Sequence, residues 1–308
     1  MVLSSLPGDI ITFVNSNVPK VTVLLATYNG VSFLDEQLTS LSEQQNVDVE
    51  VLVNDDGSSD GTMEILWKWR DRGLIVLILE STGLGSTKAF LKLLQECDGK
   101  PYVAFCDQDD IWEKDKLTSQ LNFVRGNVPM MSTCSRIYID HNGSEIGKSK
   151  VLRNSPSFEN ACFENIAPGN TTLLNNSAIK LINSIKNPSI NHYDSWIYLL
   201  ISTFGKVNYS PLYLVRYRLH SANSVGLRKT SYRKSIQGIR NFLSQQEFLV
   251  EKKYEFLSPA QQVYFENISS FVKERSIRKK IALLPRLRID RQSYLDRYVL
   301  KFLLLFVN

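Results

Sequence analysis

The stretch Tyr102–Trp112, with the sequence YVAFCDQDDIW, decides the fold that we predict for this chain. Its first five residues form a continuous apolar run, which is typical of a β-strand buried on both faces. The polar cluster 107–110 (DQDD) follows at once, and carboxylates gathered at a strand end need solvent or a cation. Mg²⁺ and Mn²⁺ prefer such oxygen ligands. The stretch therefore indicates a strand that ends at a metal or ligand site, the alternative being an acidic turn that caps a following helix.

Further strands are predicted before this stretch, from the apolar runs Val21–Ala26 and Leu74–Leu79 and from the segment Val47–Val53. Segments with large apolar residues at helical spacing separate them. Strands that alternate with helices predict an α/β protein with a mainly parallel sheet flanked by helices. Further predicted elements are strands at Met131–Asp140, Thr171–Leu174 and Val207–Leu219 and helices at Ala178–Ile185 and Asp194–Thr203.

Polar clusters also follow the first two strands, at Thr27–Gly30 (TYNG) and Asp55–Asp60 (DDGSSD). Ligands of parallel sheets bind beyond the carboxyl ends of the strands, so we expect these clusters and 107–110 to form one site. A carboxylate at Asp55 or Asp56 has the chemistry to accept the N3–H of a uracil or thymine ring. Each cluster taken alone is also compatible with an ordinary turn into a helix.

The composition is that of a globular protein, with 308 residues of which 43% are hydrophobic and 22% charged. These values exclude disordered, collagen-like and multi-span membrane proteins. Residues 1–227 carry a net charge of −5 and residues 228–308 one of +10, so a basic tail follows an acidic body. The four cysteines lack CxxC spacing and the N-terminus lacks a signal-peptide pattern. We therefore expect a cytoplasmic protein without a zinc site or disulfides.

In this order, the three clusters resemble those of glycosyltransferase family 2, whose members have the Rossmann-like GT-A fold. FCDQDDIW at 105–112 is more specifically similar to the rhamnosyltransferases of bacterial polysaccharide synthesis. Further segments that match this branch are APGNT at 167–171, HYDSW at 192–196 and YRLHSANS at 217–224. We therefore divide the chain into an irregular lead-in at 1–19, a GT-A domain at 20–226 and a basic, mostly helical extension at 227–308.

The resemblance also implies roles for individual residues. Asp107 would contact the donor ribose and a metal-bound water, and Asp109 would bind the metal that bridges the donor diphosphate. Asp194 would be the general base that deprotonates the acceptor hydroxyl, although it could instead cap a helix. The alternative for His220 is a structural hydrogen-bonding role, and the alternative for Arg218 is a cation at a strand edge. The remaining implied residues are Thr27, Tyr28, Asn29, Asp55, Asp56, Gln108 and Arg218 for the nucleotide sugar, and His220 as a second metal ligand.

The activity that the resemblance implies is inverting, Mg²⁺- or Mn²⁺-dependent transfer of a sugar from a dTDP- or UDP-sugar, first of all dTDP-L-rhamnose. The acceptor would be a saccharide, typically lipid-linked, in bacterial O-antigen or capsule synthesis. Two alternatives stay open. One is transfer of glucose, galactose or an N-acetylhexosamine, and the other is a non-catalytic subunit that binds sugar nucleotides.

The basic tail interleaves cationic and apolar side chains between residues 275 and 291. This pattern predicts a helix on the inner, anionic membrane surface, with the apolar segment Tyr298–Val307 adding contact. The acidic body and the lack of a known nucleic-acid module argue against nucleic-acid binding. The alternative is a helix packed on the body. The cations concerned are Arg275, Arg278, Lys279, Lys280, Arg286, Arg288 and Arg291.

Overall fold

The computed structural model describes residues 18–186, 190–219 and 254–306. The described ranges therefore exclude most of the predicted lead-in, at 1–17, and residues 220–253, which include His220. Within these ranges the chain forms a nine-stranded mixed sheet covered by helices.

The first half of the sheet is parallel and consists of four strands that the apolar runs predict. These strands are β1 (Lys20–Thr27), β2 (Asp48–Asp55), β3 (Ile75–Glu80) and β4 (Tyr102–Asp107). They lie in the order β3-β2-β1-β4. Val23 and Leu25 of β1 face one hydrophobic core and Leu24 faces another. Both faces of the strand are thus covered, which is why its sequence is continuously apolar.

Three helices connect these strands and cover the two faces of the sheet. They are α1 (Leu34–Ser42), α2 (Thr62–Asp71) and α3 (Ser86–Gln95). Leu38 of α1 and Leu66 of α2 pack into the core on one face, and Phe90 and Leu94 of α3 pack into the core on the other. Each connection therefore leads from the carboxyl end of one strand into a helix. The polar clusters 27–30 and 55–60 lie in the first two of these connections.

The second half of the sheet is largely antiparallel. Its strands are β5 (Ile111–Trp112), β6 (Met130–Ile139), β7 (Glu145–Lys148), β8 (Leu173–Asn175) and β9 (Lys206–Arg218). β8 pairs antiparallel with both β4 and β6, whereas β9 runs parallel to β6. Ile111 and Trp112 do not lead directly into a helix, because they form β5 against Arg216 and Val215 of β9.

The other helices follow β5 in the chain, and the last of them pack its C-terminal part against the rest of the protein. They are α4 (Lys116–Leu121), α5 (Phe158–Ala161), α6 (Asn176–Asn183), α7 (Tyr193–Phe204), α8 (Pro259–Lys273), α9 (Ile277–Leu283) and α10 (Tyr294–Leu304). Phe271 of α8, together with Leu287 and Ile289, joins the core that contains Trp196 of α7. No helix in the described ranges is long and apolar enough to cross a membrane.

The basic segment 275–291 does not form the single membrane-facing helix that its pattern predicts. A 3-10 turn at Leu284–Leu287 follows the short α9, and the segment then continues without helical structure. Lys280 is buried with its amine 5.5 Å from the centre of the Phe271 ring. Leu287 and Ile289 of this segment are buried in the body, whereas Ile277 and Ile281 of α9 are about half exposed. The predicted contact of the segment with a membrane stays a prediction.

Candidate functional site

Hydrogen bonds between the polar clusters join the carboxyl ends of β1, β2 and β4 at one edge of the sheet. The Tyr28 N–H donates to Gln108 Oε1 (2.8 Å), and Gln108 Nε2 donates to the Tyr28 carbonyl (3.0 Å). The Asn29 N–H donates to Ser58 Oγ (2.9 Å), and Asn29 Oδ1 accepts from the Ser59 N–H (2.9 Å). The structure therefore brings Tyr28, Asn29 and Gln108 together, and the Tyr28 ring stays exposed to solvent.

Asp55, at the end of β2, is buried and accepts four hydrogen bonds from the protein. Its Oδ1 accepts from the hydroxyls of Thr27 (2.7 Å) and Ser58 (2.6 Å). Its Oδ2 accepts from the N–H groups of Gly57 (3.1 Å) and Ser58 (2.8 Å). A carboxylate offers about four acceptor positions, so those of Asp55 are occupied. A pyrimidine N3–H would have to replace one of these bonds.

Hydrogen bonds to the carboxylate of Asp56 connect the end of β2 to the loop after β3. Its Oδ1 accepts from the Leu84 N–H (2.7 Å) and from Ser81 Oγ (3.0 Å), and its Oδ2 accepts from the Gly85 N–H (2.8 Å). Both carboxylates of the Asp55-Asp56 pair thus organise loops in this structure. Their predicted contact with a nucleobase stays a prediction.

The carboxylates of Asp109 and Asp194 lie within electrostatic reach of Asp107 at the end of β4. Burial, together with the negative charges of Asp109 and Asp194, raises the pKa of Asp107 to about 7. The positive charge of Arg136 on β6 opposes this rise, and its guanidinium lies 4.8 Å from the centre of the Tyr217 ring. The structure therefore brings Asp107, Asp109 and Asp194 together. Arg136 was not among the predicted site residues. The sequence feature that could have indicated it is a single cation within an otherwise uncharged strand.

Asp194 lies in the first turn of α7, where backbone N–H groups lack helical partners. Its Oδ1 accepts from the Ser195 N–H (2.7 Å), and Asn165 and Gly169 also hydrogen-bond to the carboxylate. Burial raises the pKa of Asp194, although these bonds and the charge of His192 oppose the rise. A carboxylate with a raised pKa is a better proton acceptor than an exposed one. The N-cap position of α7 belongs to His192.

A 3-10 turn, Gly169–Thr171, connects the candidate base to the DQDD cluster. Asn170 Nδ2 donates to Asp110 Oδ2 (2.5 Å), and the Arg218 N–H donates to Asp110 Oδ1 (3.2 Å). Asp110 is buried, and its role is to hold the turn that contributes the Gly169 N–H to Asp194. It was not among the predicted site residues, although its place in the cluster is a signal that could have indicated it.

Arg218, which the resemblance assigns to donor binding, is buried within the protein, with 1% of its surface exposed. Its Nε donates to the Asp109 carbonyl (3.0 Å), and its Nη1 donates to the carbonyls of Asp140 (3.2 Å) and His141 (3.0 Å). Its Nη2 lies 2.5 Å from the Glu36 carboxylate. In this structure Arg218 therefore connects β9 to helix α1 and to the loops after β4 and β6. Its predicted contact with the donor stays a prediction.

The carboxylate cluster fits a divalent cation by the chemistry of its donors. Asp107 and Asp109 offer hard oxygen ligands, and Mg²⁺ is usually held by one or two protein carboxylates plus substrate phosphates. The crowding of negative charge around Asp107 is what a bound cation would neutralise. Within the described ranges, no three or more His, Cys, Asp or Glu side chains form a metal-binding group. His220, the predicted second ligand, lies outside those ranges.

A cavity of about 490 Å³ lies between β6, β7 and the start of α10. Asn165, which hydrogen-bonds to Asp194, is part of its wall. The cavity has the size of a small-ligand site, and its excess of cations favours an anionic ligand. Its charged lining residues are Arg136, Lys148, Lys150 and Arg153, against Glu164 and Asp296.

Comparison with known sequences finds relatives of this chain. The model of the family "Glycosyl transferase family 2" matches residues 22–178. The dTDP-rhamnosyl transferase RfbG of Shigella flexneri is 30% identical over 257 residues, which cover 73% of this chain and 86% of that protein. The UDP-Glc:alpha-D-GlcNAc-diphosphoundecaprenol beta-1,3-glucosyltransferase WfaP of Escherichia coli is 28% identical over 213 residues, which cover 68% of this chain and 80% of that protein.

Solved structures with the same architecture show the fold. TarS 1–349 of S. aureus, in complex with UDP-GlcNAc, has a TM-score of 0.60 at 18% identity and covers 87% of this chain and 79% of its own. The mannosyltransferase PcManGT from Pyrobaculum calidifontis, in complex with GDP-Man and Mn²⁺, has a TM-score of 0.57 at 15% identity, with coverages of 94% and 85%. The predicted GT-A fold is thereby confirmed.

Proposed function

We propose, from the premise that the chain belongs to glycosyl transferase family 2, that it transfers a sugar from a nucleotide-sugar donor to a saccharide acceptor. The observation that carries this proposal is the position of Asp194 in the first turn of α7, where hydrogen bonds hold its carboxylate and its charge acts on Asp107 at the end of β4. A base for the acceptor hydroxyl and hard oxygen ligands on the donor side are the two groups that a single displacement needs.

In this reaction Asp194 accepts the proton of the acceptor hydroxyl while the hydroxyl oxygen attacks the anomeric carbon. The bond from that carbon to the nucleoside diphosphate breaks, its electron pair leaves with the diphosphate, and the configuration at the carbon inverts. A positioned base contributes typically about 10²–10⁴-fold to such a rate. The Ser195 N–H, which donates to Oδ1, fixes the orientation of the carboxylate.

We assign the divalent cation, Mg²⁺ or Mn²⁺, to Asp109, with His220 as a second ligand and Asp107 against the donor ribose. A divalent cation bound there supplies positive charge where negative charge develops on the leaving diphosphate. The Mn²⁺ in the structure of the mannosyltransferase PcManGT supports this assignment. Tyr28 and Gln108, locked together by two hydrogen bonds, form the wall against which the base and ribose would lie.

For the donor we propose dTDP-L-rhamnose, which the name of the S. flexneri relative and the FCDQDDIW segment support. A UDP-sugar such as UDP-glucose is the second candidate, because the E. coli relative is named as a glucosyltransferase that uses UDP-Glc. A non-catalytic sugar-nucleotide-binding subunit would be expected to lack the base or the metal carboxylate. This chain has both Asp194 and Asp109.

For the acceptor we propose a saccharide joined to a lipid through a diphosphate, in bacterial O-antigen or capsule synthesis at the cytoplasmic side of the membrane. The name of the E. coli relative specifies such an acceptor for that protein. The cavity beside Asn165 supports the proposal, because Arg136 and Arg153 in its lining would pair with the anionic diphosphate.

The test is to incubate the purified protein with a panel of dTDP-, UDP- and GDP-sugars and Mg²⁺ or Mn²⁺, and to measure nucleoside diphosphate release. We expect Asp109→Ala and Asp194→Asn to abolish transfer, and Asp194→Asn to retain donor binding in calorimetry. Asp98→Asn is the matched control, since Asp98 is exposed and lies before β4, at the opposite end from Asp107. Full turnover by Asp194→Asn would contradict its role as the base, and no release from any donor would contradict the enzymatic proposal.

A further inference from the structure

We propose that the outward face of α10 docks on an anionic lipid bilayer and so presents the cavity beside Asn165 to lipid-linked acceptors. The docking itself follows from α10 and its neighbours. The presentation of acceptors rests on the proposed function.

Helix α10 is apolar on two opposite sides, of which the protein covers one. Leu300 and Leu304 are buried in the main hydrophobic core. Leu295, Tyr298 and Phe302 follow one another at helical spacing on the other side and are 72%, 68% and 57% exposed. A surface helix normally turns a polar face to solvent, so this exposed apolar face is a candidate contact surface.

The exposed face is large enough to be an interaction surface. Val299 and Phe306 extend it, and Phe306 packs edge-on against Phe302 with the ring centroids 5.2 Å apart. Taking about 200 Å² for each large side chain, these residues expose roughly 500 Å² of mostly apolar surface. Contiguous apolar patches of this size on a protein surface mark contacts with membranes or other proteins.

Cations border this face, and their positive charge favours an anionic bilayer as the partner. The Lys301 amine lies 5.8 Å from the centre of the Tyr298 ring, and the Arg153 guanidinium lies 5.8 Å from the centre of the Tyr294 ring. Tyrosines with a cation beside an apolar stripe suit the boundary between lipid headgroups and acyl chains. Asp296, the acidic residue of α10, lines the cavity.

The proposed surface extends the contact that the sequence pattern assigns to Tyr298–Val307 and makes it the main one. The cationic segment 275–291 buries its Leu287 and Ile289 and exposes Ile277 and Ile281 on the short α9. In contrast, Leu295, Tyr298 and Phe302 of α10 are each more than half exposed. Exposed cations such as Arg278 and Lys279 stay available to add attraction to anionic headgroups.

The start of α10 is also a wall of the cavity, which connects docking to the acceptor. Ser293 and Asp296 line the cavity. Gln292, just before the helix, accepts from the N–H groups of Arg153 (2.8 Å) and Asn154 (3.0 Å), and so fixes α10 to the opposite wall. A bilayer under α10 would hold the lipid of an acceptor while its diphosphate meets the cations of the cavity.

The experiment measures co-sedimentation of the full chain with vesicles of phosphatidylcholine and phosphatidylglycerol, and with vesicles of phosphatidylcholine alone. We expect binding to the mixed vesicles, weaker binding to the neutral ones, and at least about a tenfold loss for the triple variant Leu295→Gln/Tyr298→Gln/Phe302→Gln. Glutamine keeps helix propensity and replaces surface side chains, so the variant should fold, which circular dichroism checks.

A matched control replaces three exposed apolar residues elsewhere, Trp67→Gln/Val76→Gln/Leu212→Gln, each about half exposed in the native protein. We expect this control to bind vesicles like the native chain. Equal vesicle binding by the α10 variant would overturn the proposal. The proposal would also be overturned if the native chain bound no vesicles but formed a dimer in solution that the α10 variant does not form. The face would then bind a second copy of the chain.

Two readouts separate this inference from the proposed function. Nucleoside diphosphate release with a water-soluble saccharide acceptor should be the same in the α10 variant and the native protein. Transfer to a lipid-linked acceptor in mixed vesicles should fall by about the same factor as vesicle binding. If the native chain turns over no donor at all, the proposed function fails, while vesicle binding still tests the docking face.

Discussion

The ring of Tyr193 lies so close to Gly169 that a β-carbon on this glycine would come within 1.7 Å of the phenolic oxygen. Tyr193 has little freedom to move aside, because its ring centroid lies 4.5 Å from that of Phe90 and 5.0 Å from that of Phe105. Gly169 also contributes a backbone hydrogen bond to Asp194. The aromatic core under the sheet thus sets the position of the turn that holds the candidate base.

We expect Gly169→Ala to lower the free energy of unfolding by about 1–3 kcal/mol, because the added methyl overpacks the site. Transfer should fall at least about tenfold, since the turn must move away from Asp194. Urea unfolding and nucleoside diphosphate release measure the two effects. Gly147→Ala is the control: its β-carbon would meet Tyr138 at 3.7 Å, an ordinary contact, so neither quantity should change. Native stability and activity in Gly169→Ala would show that the turn adapts.

We expect Arg218→Met to lower the free energy of unfolding by about 2–3 kcal/mol, with little change in the donor KM of the remaining folded protein. The substitution leaves the carbonyls of Asp109 and Asp140 without their buried donor. Urea unfolding and steady-state kinetics measure both quantities. A donor-binding role would produce the opposite result, a raised KM with unchanged stability.

The control for this substitution is Arg216→Met on the same strand. Arg216 forms one ion pair with Glu113, and both side chains are about one-third exposed. Such a pair contributes less than about 1 kcal/mol, so the stability should change little.

The contrast between the two halves of the sheet shows what the sequence could predict. The short apolar runs Val21–Ala26 and Tyr102–Cys106 indicate buried parallel strands, because both faces of such strands are covered by the protein. The position of β8 between β4 and β6 had no such signal. That placement depends on antiparallel pairing between residues far apart in the chain, which local periodicity does not record.

The role of Arg218 could not be predicted because it depends on strand register. The pairing between β6 and β9 shifts at Cys134/Ser135 and again at Ser135/Arg136. Each such irregularity changes which residues of the later part of β9 face inward. The motif resemblance identifies Arg218 as a notable residue, but only the register shows that its side chain is directed into the protein.

We expect the acidic limb of the kcat/KM profile to lie at a higher pH than an ordinary aspartate would give, because burial raises the pKa of Asp194. Transfer needs the ionised base, so the rate falls as the pH decreases through this raised pKa. Asn165→Ala removes a hydrogen bond that lowers the pKa, and should move the limb further towards higher pH. Asn208→Ala, whose amide donates to the Phe123 carbonyl, is the control with an unchanged limb. An unmoved limb in Asn165→Ala would contradict the assignment.

We expect Glu50→Gln to lower the free energy of unfolding at pH 7 by about 1–2 kcal/mol, allowing for solvent screening. Burial opposes ionisation of Glu50, but hydrogen bonds from Lys100, Lys20 and Thr22 outweigh it and lower its pKa to about 2. A folded-state pKa below the unfolded value contributes stability at neutral pH that is lost as the pH falls from about 5 towards 2. The difference between native protein and variant in urea unfolding should therefore shrink over that range. Glu43→Gln removes only an exposed pair with Lys114 and should show no such pH-dependent difference.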